Sequence, residues 1–483
     1  MAESRLVVSA PRTLFEKVWQ AHAISAAPDG ETLLYVDFNF VHEGAFLAFG
    51  LLDAEKRTVR QRAQNIAFAD HFVPTRGREK GIDGIADAEA RTMVTQLEVN
   101  ARRHGITYFG IDDPRQGIMH VVGPELGLVL PGSVITGSDS HTCTNGAFGA
   151  FAFGIGQSEI RQVFLTQTIW RARPKTLRVC IDGTLADGVS AKDVALAVIA
   201  ALGAGKGSGY AIEYAGSCVR AMGMEGRMTL SNMSIEAGAR AGMIAPDDTT
   251  FRYLKSCPHA PKGDAWTAAL EDWRQLPSDD GAAFDREIAL RAEDLQPMVT
   301  WGTGLDEVVP VDGRVPDPAA VEDAEQRTRM ERTLEYMGLA AGTAVADVRI
   351  DRAFIGSCTN GRLDDLRTAA AVLKGRKVRM PVLVSPGSRT VKRQAEAEGL
   401  DAIFTAAGAE WGDSSCSMCV GSNGDLVGHG ERCASTSPRN FVGRQGIGAR
   451  THVMSPAMAA AAAVAGHVVD VRTLMGERVG TLQ

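Results

Sequence analysis

The chain has few aromatic residues, little net charge and no long apolar run. Phe, Trp and Tyr make up 6% of its 483 residues, and the formal charge is −7. This balance excludes a global basic surface for nucleic acid, so an anionic substrate would need a local cationic pocket. The most apolar late stretch, residues 455–471, is interrupted by His467 and Asp470. It is shorter than the roughly 20 apolar residues of a membrane span, and we predict a packed helix running into a strand.

An export signal and a regular cysteine framework are also lacking. The first twenty residues carry several charges and no apolar core before a cleavage site, so we predict a cytoplasmic protein. In a reducing compartment, disulfides explain the eight irregularly spaced cysteines poorly, and a chain of this length buries its cores without them. Five are predicted to be buried or inert thiols: Cys143, Cys180, Cys218, Cys257 and Cys433.

Residues 348–388 show a βαβ pattern. An apolar strand-like run is followed by a Ser, Cys, Thr, Asn and Gly turn, a helical pattern and a second apolar run. This order predicts an α/β fold with a largely parallel sheet and helices on its faces. Such sheets bind ligands beyond the carboxyl ends of their strands, where residues 357–361 would lie. The polar region 255–321 is expected to serve partly as an interdomain connection.

Three cysteines could converge on one inorganic centre. Cys358 follows the first predicted strand of that unit, and Cys416 and Cys419 form a Cys-x-x-Cys pair about sixty residues later. A zinc site would need a fourth ligand, for which Cys433 or His429 could serve. A redox disulfide would have no use for Cys358. A [4Fe–4S] cluster on three cysteines would leave one iron open as a Lewis acid.

Several longer motifs accompany these cysteines. They are DHFVPT (70–75), GIMHVVGPELGLVLPG (117–132), DSHT (139–142), GRMTLSNMSIEAGARAGMIAPDDTTF (226–251), GSCTNGR (356–362), CSMC (416–419), RNFVGRQG (439–446) and THVMSPAMAAAAAVAGHVVD (451–470). With these motifs in this order, the sequence resembles the aconitase superfamily, and most closely the large subunits of 3-isopropylmalate dehydratases. The resemblance implies three α/β/α domains packed around a central iron–sulfur cluster, with boundaries at 1–173, 174–297 and 298–483.

The resemblance also implies a cofactor and a reaction. One [4Fe–4S] cluster would be held by Cys358, Cys416 and Cys419, with its fourth iron open to a 2-hydroxy acid. The enzyme would be a hydro-lyase that removes water by trans elimination and adds it back, converting 2-isopropylmalate to 3-isopropylmalate in leucine biosynthesis. A positioned acid must protonate the hydroxide, which is a poor leaving group. By resemblance that acid is His71, oriented by Asp70.

Further site residues follow from the same motifs. The resemblance implies that the other catalytic groups are His120, Asp139, His141 and Glu236. It implies substrate contacts from Ser140, Arg439 and Arg444, since a planar guanidinium suits a carboxylate. It places the amides Asn232 and Asn360 near the cluster. Four other histidines are expected to be ordinary surface or core residues: His22, His104, His259 and His467.

A partner subunit is expected as well. Single-chain aconitases carry a further swivel domain, which supplies a serine base and an arginine for the distal carboxylate. This chain ends at Gln483, soon after the alanine-rich stretch, so we predict a separate small subunit that completes the site. No nucleic-acid or membrane partner is expected.

The sequence departs from the isopropylmalate pattern at seven positions. They are Phe38, Asn39, Cys143, Asn145, Ser414, Ser415 and Pro438. Because we place several of them at the pocket edge, related substrates compete: citraconate or 2-methylmalate, dimethylmalate, or a homoaconitase-like substrate. Two other classes are an iron-responsive RNA-binding regulator and a zinc-stabilised structural protein. The acidic balance and the retained acid–base residues argue against the regulator.

Overall fold

Three parallel β-sheets with helices packed on them organise the computed structural model, which describes residues 10–203 and 205–476. The strands are β1 Ala23–Ala26, β2 Glu31–Tyr35, β3 Phe38–Val41, β4 Asn65–Phe68, β5 Thr107–Phe109, β6 Val134–Gly137, β7 Phe151–Gly154, β8 Thr168–Ala172, β9 Lys175–Asp182, β10 Tyr210–Ala215, β11 Ala241–Ile244, β12 Arg286–Arg291, β13 Met298–Thr300, β14 Val308–Pro310, β15 Arg352–Ile355, β16 Val382–Val384, β17 Glu410–Trp411, β18 Arg432–Ser435 and β19 Arg450–Val453.

Helices connect most of these strands. The α-helices are α1 Leu14–His22, α2 Phe46–Ala54, α3 Ala88–His104, α4 Met119–Leu126, α5 Gln157–Thr166, α6 Ala191–Leu202, α7 Ser217–Ala221, α8 Met224–Asn232, α9 Asp248–Lys255, α10 Asp264–Trp273, α11 Ala324–Met337, α12 Ser357–Asn360, α13 Leu363–Leu373, α14 Arg389–Ala397, α15 Leu400–Ala407, α16 Pro456–Ala465 and α17 Val471–Gly476. Short 3-10 helices lie at Glu43–Ala45, Arg62–Gln64, Arg78–Gly84, Ser140–Phe148, Met233–Ala237, Ala292–Asp294, Pro318–Ala320, Val345–Asp347 and Ser417–Cys419. No helix in the described ranges combines the length and the apolar character needed to cross a bilayer.

Two of the parallel sheets share one strand order. The first is β5-β4-β3-β6-β7 and the third is β17-β16-β15-β18-β19, so each follows the order 3-2-1-4-5 when its own strands are numbered along the chain. Such sheets bind ligands where the order reverses, beyond the carboxyl ends of the two central strands. That point lies between β3 and β6 in the first sheet and between β15 and β18 in the third. The predicted α/β fold with parallel sheets is confirmed.

The second parallel sheet has the order β11-β10-β9-β12. The strands of the three sheets fall within residues 38–154, 175–291 and 352–453. The domain boundaries at 173 and 297 stay a prediction. The region 255–321 is more ordered than expected for a connection, because it holds α10 and β12 to β14. Its polar residues lie largely on exposed faces, as in β12, where partly buried and exposed positions alternate.

The loops that leave the first and third sheets are joined by backbone hydrogen bonds. Cys416 N donates to Asp70 O at 3.0 Å, and Asp413 N donates to Thr75 O at 2.9 Å. Asp70 and Thr75 follow β4, whereas Asp413 and Cys416 follow β17. The carboxyl ends of the two sheets therefore meet, and the polar residues of both lie together.

The alanine-rich stretch forms the buried helix α16. Residues 457–463 are 5% exposed or less, and the helix packs on α13 and β15. Small side chains let helix and sheet backbones approach closely. The predicted continuation into a strand is wrong. Asp470 instead lies directly before α17. Its carboxylate accepts from Arg472 N and its carbonyl accepts from Thr473 N, at the start of that helix.

Arg227 is a fully buried cation that depends on one carboxylate. Its guanidinium donates to both oxygens of Asp247 at 2.8 and 2.7 Å, and to the carbonyl of Arg220 at 2.8 Å. Asp247 is also the N-cap of α9, where it accepts from Thr249 N. One carboxylate thus serves a helix end and a buried charge at once.

We expect Asp247→Asn to destabilise the chain by about 3 kcal/mol, because it leaves the buried guanidinium without its counter-ion. Asparagine is itself a good N-cap, so the change isolates the charge from the cap. Asp248→Asn, at an exposed position next along the same helix, is the matched control. Urea unfolding measures both variants, and equal midpoints would contradict the prediction.

His452 is a buried neutral histidine in β19. Its Nδ1 lies 2.8 Å from Thr300 O, and Arg432 Nη1 lies 3.3 Å from its Nε2. Burial, with a contribution from the positive charges of Arg432 and Arg450, lowers the pKa of His452 to about 4 despite the hydrogen bond to Thr300. Nδ1 is then the donor and Nε2 the acceptor.

We expect this histidine to destabilise the fold in acid. In the unfolded chain the histidine is protonated below its pKa of about 6.5, whereas in the folded chain it is protonated only below about pH 4. Its stabilising effect is complete above pH 6.5 and falls by about 3 kcal/mol as the pH drops to 4. Urea unfolding across this range should give a flatter profile for His452→Gln. The exposed control His429→Gln should keep the profile of the unchanged chain, and a parallel profile for His452→Gln would refute the assignment.

Candidate active site

The candidate site is built from turns that follow the strands of the first sheet and from loops of the third. The residues at strand ends of the first sheet are His42 and Glu43 after β3, Asp70 and His71 after β4, and Asp139, Ser140 and His141 after β6. The cysteines follow β15 and β17, and the arginines follow β18. This placement agrees with the general position of ligand sites on doubly wound sheets.

Asp70 orients His71. The Asp70 Oδ1 atom lies 2.5 Å from His71 Nδ1, and Oδ2 accepts from Met119 N at 3.0 Å. Asp70 is completely buried, which would raise its pKa, but His71 and the backbone hydrogen bond outweigh burial and lower it. An ionised Asp70 therefore keeps the His71 ring in place through Nδ1 and leaves Nε2 available for other contacts.

Asp139 is the hub of the site. Its Oδ1 accepts from His120 Nε2 at 2.9 Å and from His141 N at 2.7 Å, and its Oδ2 lies 3.5 Å from His71 Nε2. Burial would raise the pKa of Asp139, but hydrogen bonds from His120, His141 and His71 hold it well below its ordinary value. The carboxylate thus stays charged while it faces three imidazoles.

The histidines around Asp139 differ in charge. Burial lowers the pKa of His120, so this ring is neutral at pH 7. For His71, burial acts in the same direction, but the charges of Cys416 and Asp70 raise its pKa well above the ordinary value. His71 is 14% exposed, which lets a ligand reach it. It is therefore a protonated group with access to the site.

The network continues to a guanidinium. His141 Nε2 lies 3.0 Å from Glu236 Oε1, and that oxygen accepts from Arg439 Nε at 2.8 Å. Arg439 Nη2 also donates to Ser140 Oγ at 3.0 Å. The Arg439 side chain is 24% exposed, so its charge remains accessible to an anion.

The structure therefore brings all six predicted catalytic residues into one chain of contacts. It runs from Asp70 through His71, Asp139 and His141 to Glu236, with His120 attached to Asp139. Alternating carboxylates and imidazoles can hold and move protons at defined atoms. Their catalytic roles stay predictions.

The three predicted ligand cysteines border this network. All eight cysteines of the chain are free, and Cys358, Cys416 and Cys419 are 4–5% exposed. Cys416 Sγ lies 3.9 Å from His71 Nδ1. Asn232 Nδ2 donates to Cys358 Sγ at 3.3 Å, so this amide lies where the sequence places it.

Arg444 supports the cysteine loop. Its Nε donates to Cys419 O at 2.7 Å, its Nη2 lies 4.0 Å from Cys419 Sγ, and its guanidinium lies over the Phe441 ring. Arg444 therefore contacts a predicted ligand cysteine, and its role in binding substrate stays a prediction.

Unusual backbone conformations flank two of the cysteines. Ser357 precedes Cys358 with φ 77°, and Ser417 follows Cys416 with φ 51°. Both serines are fully buried. Non-glycine residues in this region cost about 1–3 kcal/mol each and concentrate at functional sites. The fold therefore holds these thiols in place at the cost of local strain.

The spacing of the three sulfur atoms does not suit a single zinc ion. Sulfur ligands of a tetrahedral zinc ion lie about 3.8 Å apart, given a Zn–S distance of about 2.3 Å. Across residues 10–203 and 205–476, the one set of potential ligand atoms within 4.8 Å of one another is that of His42, Glu43, Asp70 and His71. The three sulfurs are therefore spread too widely for a single zinc ion. Of the proposed fourth ligands, His429 is exposed and Cys433 is buried in an apolar cluster.

Two buried acceptors also await a partner. His120 Nδ1 and Asn360 Oδ1 have no hydrogen-bond partner among the described residues, although Asn360 Nδ2 donates to Asp365 Oδ1 at 2.9 Å. Burying such atoms without a partner is costly, and ligands or water usually satisfy them. Burial raises the pKa of the Cys358 thiol to about 12, and metal binding deprotonates such a thiol. The donor set, the burial and the strained turns fit an iron–sulfur cluster.

Sequence reasoning missed a histidine and a carboxylate. Glu43 is buried and accepts from Asp70 N at 3.0 Å and His71 N at 3.3 Å, which fixes the turn that carries the predicted acid. The His42 ring stacks on the His71 ring with centroids 4.1 Å apart. Their position directly after the apolar run at residues 40–41 was the available signal.

Several departures from the family pattern lie away from any pocket edge, contrary to expectation. Asn39 is buried inside the first sheet, where it donates to Asn65 Oδ1 and accepts from Thr136 Oγ1, both at 3.0 Å. Phe38 packs on Phe40. Ser415 Oγ donates to Val73 O at 2.8 Å. These side chains support the sheet and the cysteine loop.

The other departures lie closer to the site. Cys143 Sγ donates to Asn232 O at 3.2 Å, and Asn145 is buried with neither amide atom hydrogen-bonded to a described residue. Pro438 is buried beside Arg439, and Ser414 precedes the cysteine pair. Any effect on substrate choice would have to come from this smaller group.

The cysteines and histidines expected to be ordinary are mostly so. Cys218 and Cys257 are buried, but Cys180 is partly exposed and lies 3.3 Å from Asp182 Oδ2. His22 contacts Val18 O and Asp37 Oδ2, both at 2.8 Å. His104 packs on Phe49, His467 contacts Ala346 O, and His259 is exposed.

Comparison with a known family agrees with this geometry. The model of the aconitase family (aconitate hydratase) matches residues 16–466. The crystal structure of Thermococcus kodakaraensis aconitase X, in its holo form, is similar with a TM-score of 0.46 and 13% identity, covering 84% of each chain.

Proposed function

Because this chain belongs to the aconitase family, we propose that it is the large, cluster-binding subunit of a hydro-lyase for a 2-hydroxy acid with at least two carboxylates. The observation that carries the proposal is the unbroken acid–base chain from Asp70 to Arg439, bordered by three buried cysteines. Neither a zinc-stabilised structural protein nor an RNA-binding regulator has a use for that chain of contacts.

The residues proposed to hold the cofactor are Cys358, Cys416 and Cys419, with Asn232 and Arg444 supporting them. When bound, a [4Fe–4S] cluster with three thiolate ligands supplies a Lewis acid that polarises the substrate C–O bond. Asn360 and His120 each offer a buried acceptor beside this region. These groups bind and orient, and they leave the proton chemistry to the histidines.

His71 is the proposed acid. Asp70 holds its Nδ1 and Asp139 lies opposite its Nε2, so the protonated ring is fixed between two carboxylates. Transfer of the Nε2 proton to the leaving hydroxyl releases water. A proton from protonated His141, whose Nδ1 lies 3.3 Å from Asp139 Oδ1, can then return to His71 through the Asp139 carboxylate. Glu236 compensates the charge of His141 during this exchange.

Arg439 is the proposed carboxylate-binding group. It is anchored by Glu236 and Ser140, which fix its direction, while about a quarter of the side chain remains exposed. A planar guanidinium held in this way binds carboxylates with defined geometry. It therefore selects an anionic substrate despite the negative charge of the whole chain.

The substrate that we propose is 2-isopropylmalate, interconverted with 3-isopropylmalate. Supporting it, the changes at Phe38 and Asn39 are absorbed within the first sheet. Other alkylmalates are alternative substrates because two departures from the family pattern lie close to site residues. Cys143 contacts Asn232, and Asn145 lies in the same 3-10 helix as His141. The assay panel must therefore include 2-methylmalate, citraconate, dimethylmalate and homocitrate.

We further propose that a small subunit covers the site. Four apolar side chains on the loops around the cysteines and arginines are 49–88% exposed: Leu426, Phe441, Val442 and Ile447. Exposed apolar patches of this kind mark contact surfaces. A subunit placed there would lie next to Arg439 and could supply the base that the resemblance calls for.

Anaerobic reconstitution with iron and sulfide tests the proposal. The purified chain should develop broad visible absorption, and with its cognate small subunit it should turn over at least one acid of the panel. Without the small subunit, turnover should be lost while the absorption stays. An intact cluster with no turnover of any acid would refute the enzymatic function, and full turnover by the isolated chain would refute the partner.

A further inference from the structure

Lys192 is a buried cation with an incomplete set of partners. It is the second residue of α6 and is 0% exposed. Its Nζ donates to Thr436 O at 2.9 Å and to Ser437 O at 3.0 Å. An ammonium group has three N–H donors, so these two carbonyls leave one donor over. No carboxylate lies within 4.0 Å of Nζ in the part of the chain that the structure describes.

The neighbouring carboxylate is occupied elsewhere. Asp193 Oδ2 accepts from Ser190 N at 2.8 Å and from Ser190 Oγ at 2.7 Å, which caps α6. Asp193 Oδ1 accepts from Met298 N at 2.8 Å. Both oxygens are engaged in holding the helix start. Among the described residues, Asp193 therefore forms no ion pair with Lys192.

A buried ammonium needs negative charge nearby, since desolvation of an unpaired ion is costly. Burial lowers the pKa of Lys192 to about 8, while the charges of Cys358, Asp365 and Cys419 act to raise it. Of these, Cys358 and Cys419 are proposed cluster ligands. The negative charge around Lys192 thus comes from these two thiolates together with the carboxylates of Asp365 and Asp193.

The two carbonyls that bind Lys192 belong to a segment that joins the site together. Gly356 N donates to Thr436 Oγ1 at 2.9 Å, and Ser357 Oγ lies 3.4 Å from Thr436 O. This contact ties the turn before Cys358 to the end of β18. Arg439 follows Ser437 by two residues. Lys192 therefore binds the segment that links the proposed ligand turn at Cys358 to Arg439, the proposed substrate-binding arginine.

We propose that Lys192 is the buried counter-cation of the cluster, and that it positions the Cys358 turn by holding the Thr436 and Ser437 carbonyls. The inference rests on the proposed cluster. A [4Fe–4S] core of charge +2 with three thiolates has a net charge of −1, which becomes −2 when the cluster takes up one electron. A fixed positive charge nearby favours the more negative state and raises the reduction potential.

A redox titration followed by EPR tests this role. Dithionite supplies the electron and redox mediators set the potential of the reconstituted holo chain. We expect Lys192→Met and Lys192→Gln each to lower the equilibrium constant for one-electron reduction at least tenfold, which equals about 59 mV. Lys192→Arg should keep the original potential. Lys377→Met is the matched control, because Lys377 also donates to a backbone carbonyl, that of Ala406, but is exposed.

The glutamine variant separates charge from hydrogen bonding. Its amide can still donate to a carbonyl but carries no charge, so a potential like that of the unchanged protein would overturn the inference. If Lys192→Met fails to fold, the comparison of the glutamine and arginine variants decides. A chain that takes up no cluster refutes the proposed function together with this inference. An intact cluster whose potential ignores Lys192 refutes the inference alone.

Discussion

Cys416→Ser should abolish the visible absorption of the reconstituted cluster and reduce turnover below detection. The residue lies on the loop bonded to the turn of the proposed acid, with its sulfur 3.9 Å from His71 Nδ1. Serine has a far more basic oxygen and no soft sulfur, so it is a poor ligand for iron in a cluster. Iron and sulfide content, with EPR of the reduced sample, measure the loss.

Cys433→Ser is the matched control for that variant. Cys433 is also completely buried, and burial raises the pKa of its thiol to about 12. It packs in an apolar cluster with Phe354 and Leu383. The variant should keep the iron content and the spectrum. If Cys433→Ser lost the cluster and Cys416→Ser retained it, the ligands would be wrongly assigned.

Asp139→Asn should lower kcat by about 10²- to 10⁴-fold while the cluster remains intact. General acid–base groups contribute factors of this size. The amide removes the negative charge that faces His71, His120 and His141. Its NH2 group would also face imidazole N–H groups that donate hydrogen bonds to the carboxylate in the unchanged protein. His71 then loses one of the contacts that raise its pKa and the carboxylate through which its proton is restored, so turnover slows.

Asp37→Asn controls for the loss of an aspartate–histidine pair in general. Asp37 Oδ2 lies 2.8 Å from His22 Nε2, outside the network around Asp139. Its kcat should stay within about twofold of the unchanged protein. Steady-state assays with the small subunit, run on samples of equal iron content, measure both variants. Equal activities would show that Asp139 has no part in proton transfer.

Much of the fold and of the site could be predicted from local patterns. The β15-α13-β16 unit was visible as an apolar run, a turn and a helical period. The motif resemblance supplied residues such as Asp139 and Glu236. The structure then showed them in contact. Local sequence carries this information because caps, turns and periodicity act over a few residues.

The rest depended on contacts between distant parts of the chain. Cys416 and His71 are separated by 345 positions, and Lys192 and Thr436 by 244. No periodicity reports such pairs. The departure at Asn39 was placed at a pocket edge because its partner Asn65 on the next strand could not be foreseen. The segment after α16 was predicted as a strand from its valines, but Asp470 caps a helix there. The prediction of no export signal rests partly on residues 1–9, outside the described ranges.

The two halves of the site are also separated in the order of synthesis. The acid–base residues up to Glu236 precede the first ligand cysteine by more than a hundred residues, and Cys419 lies near the end of the 483-residue chain. Domains form while a chain is being made, in order from the N-terminus. Most of the proposed proton network is therefore synthesised before the proposed ligand cysteines. Under the proposed function, cofactor insertion has to wait until the third sheet has been made.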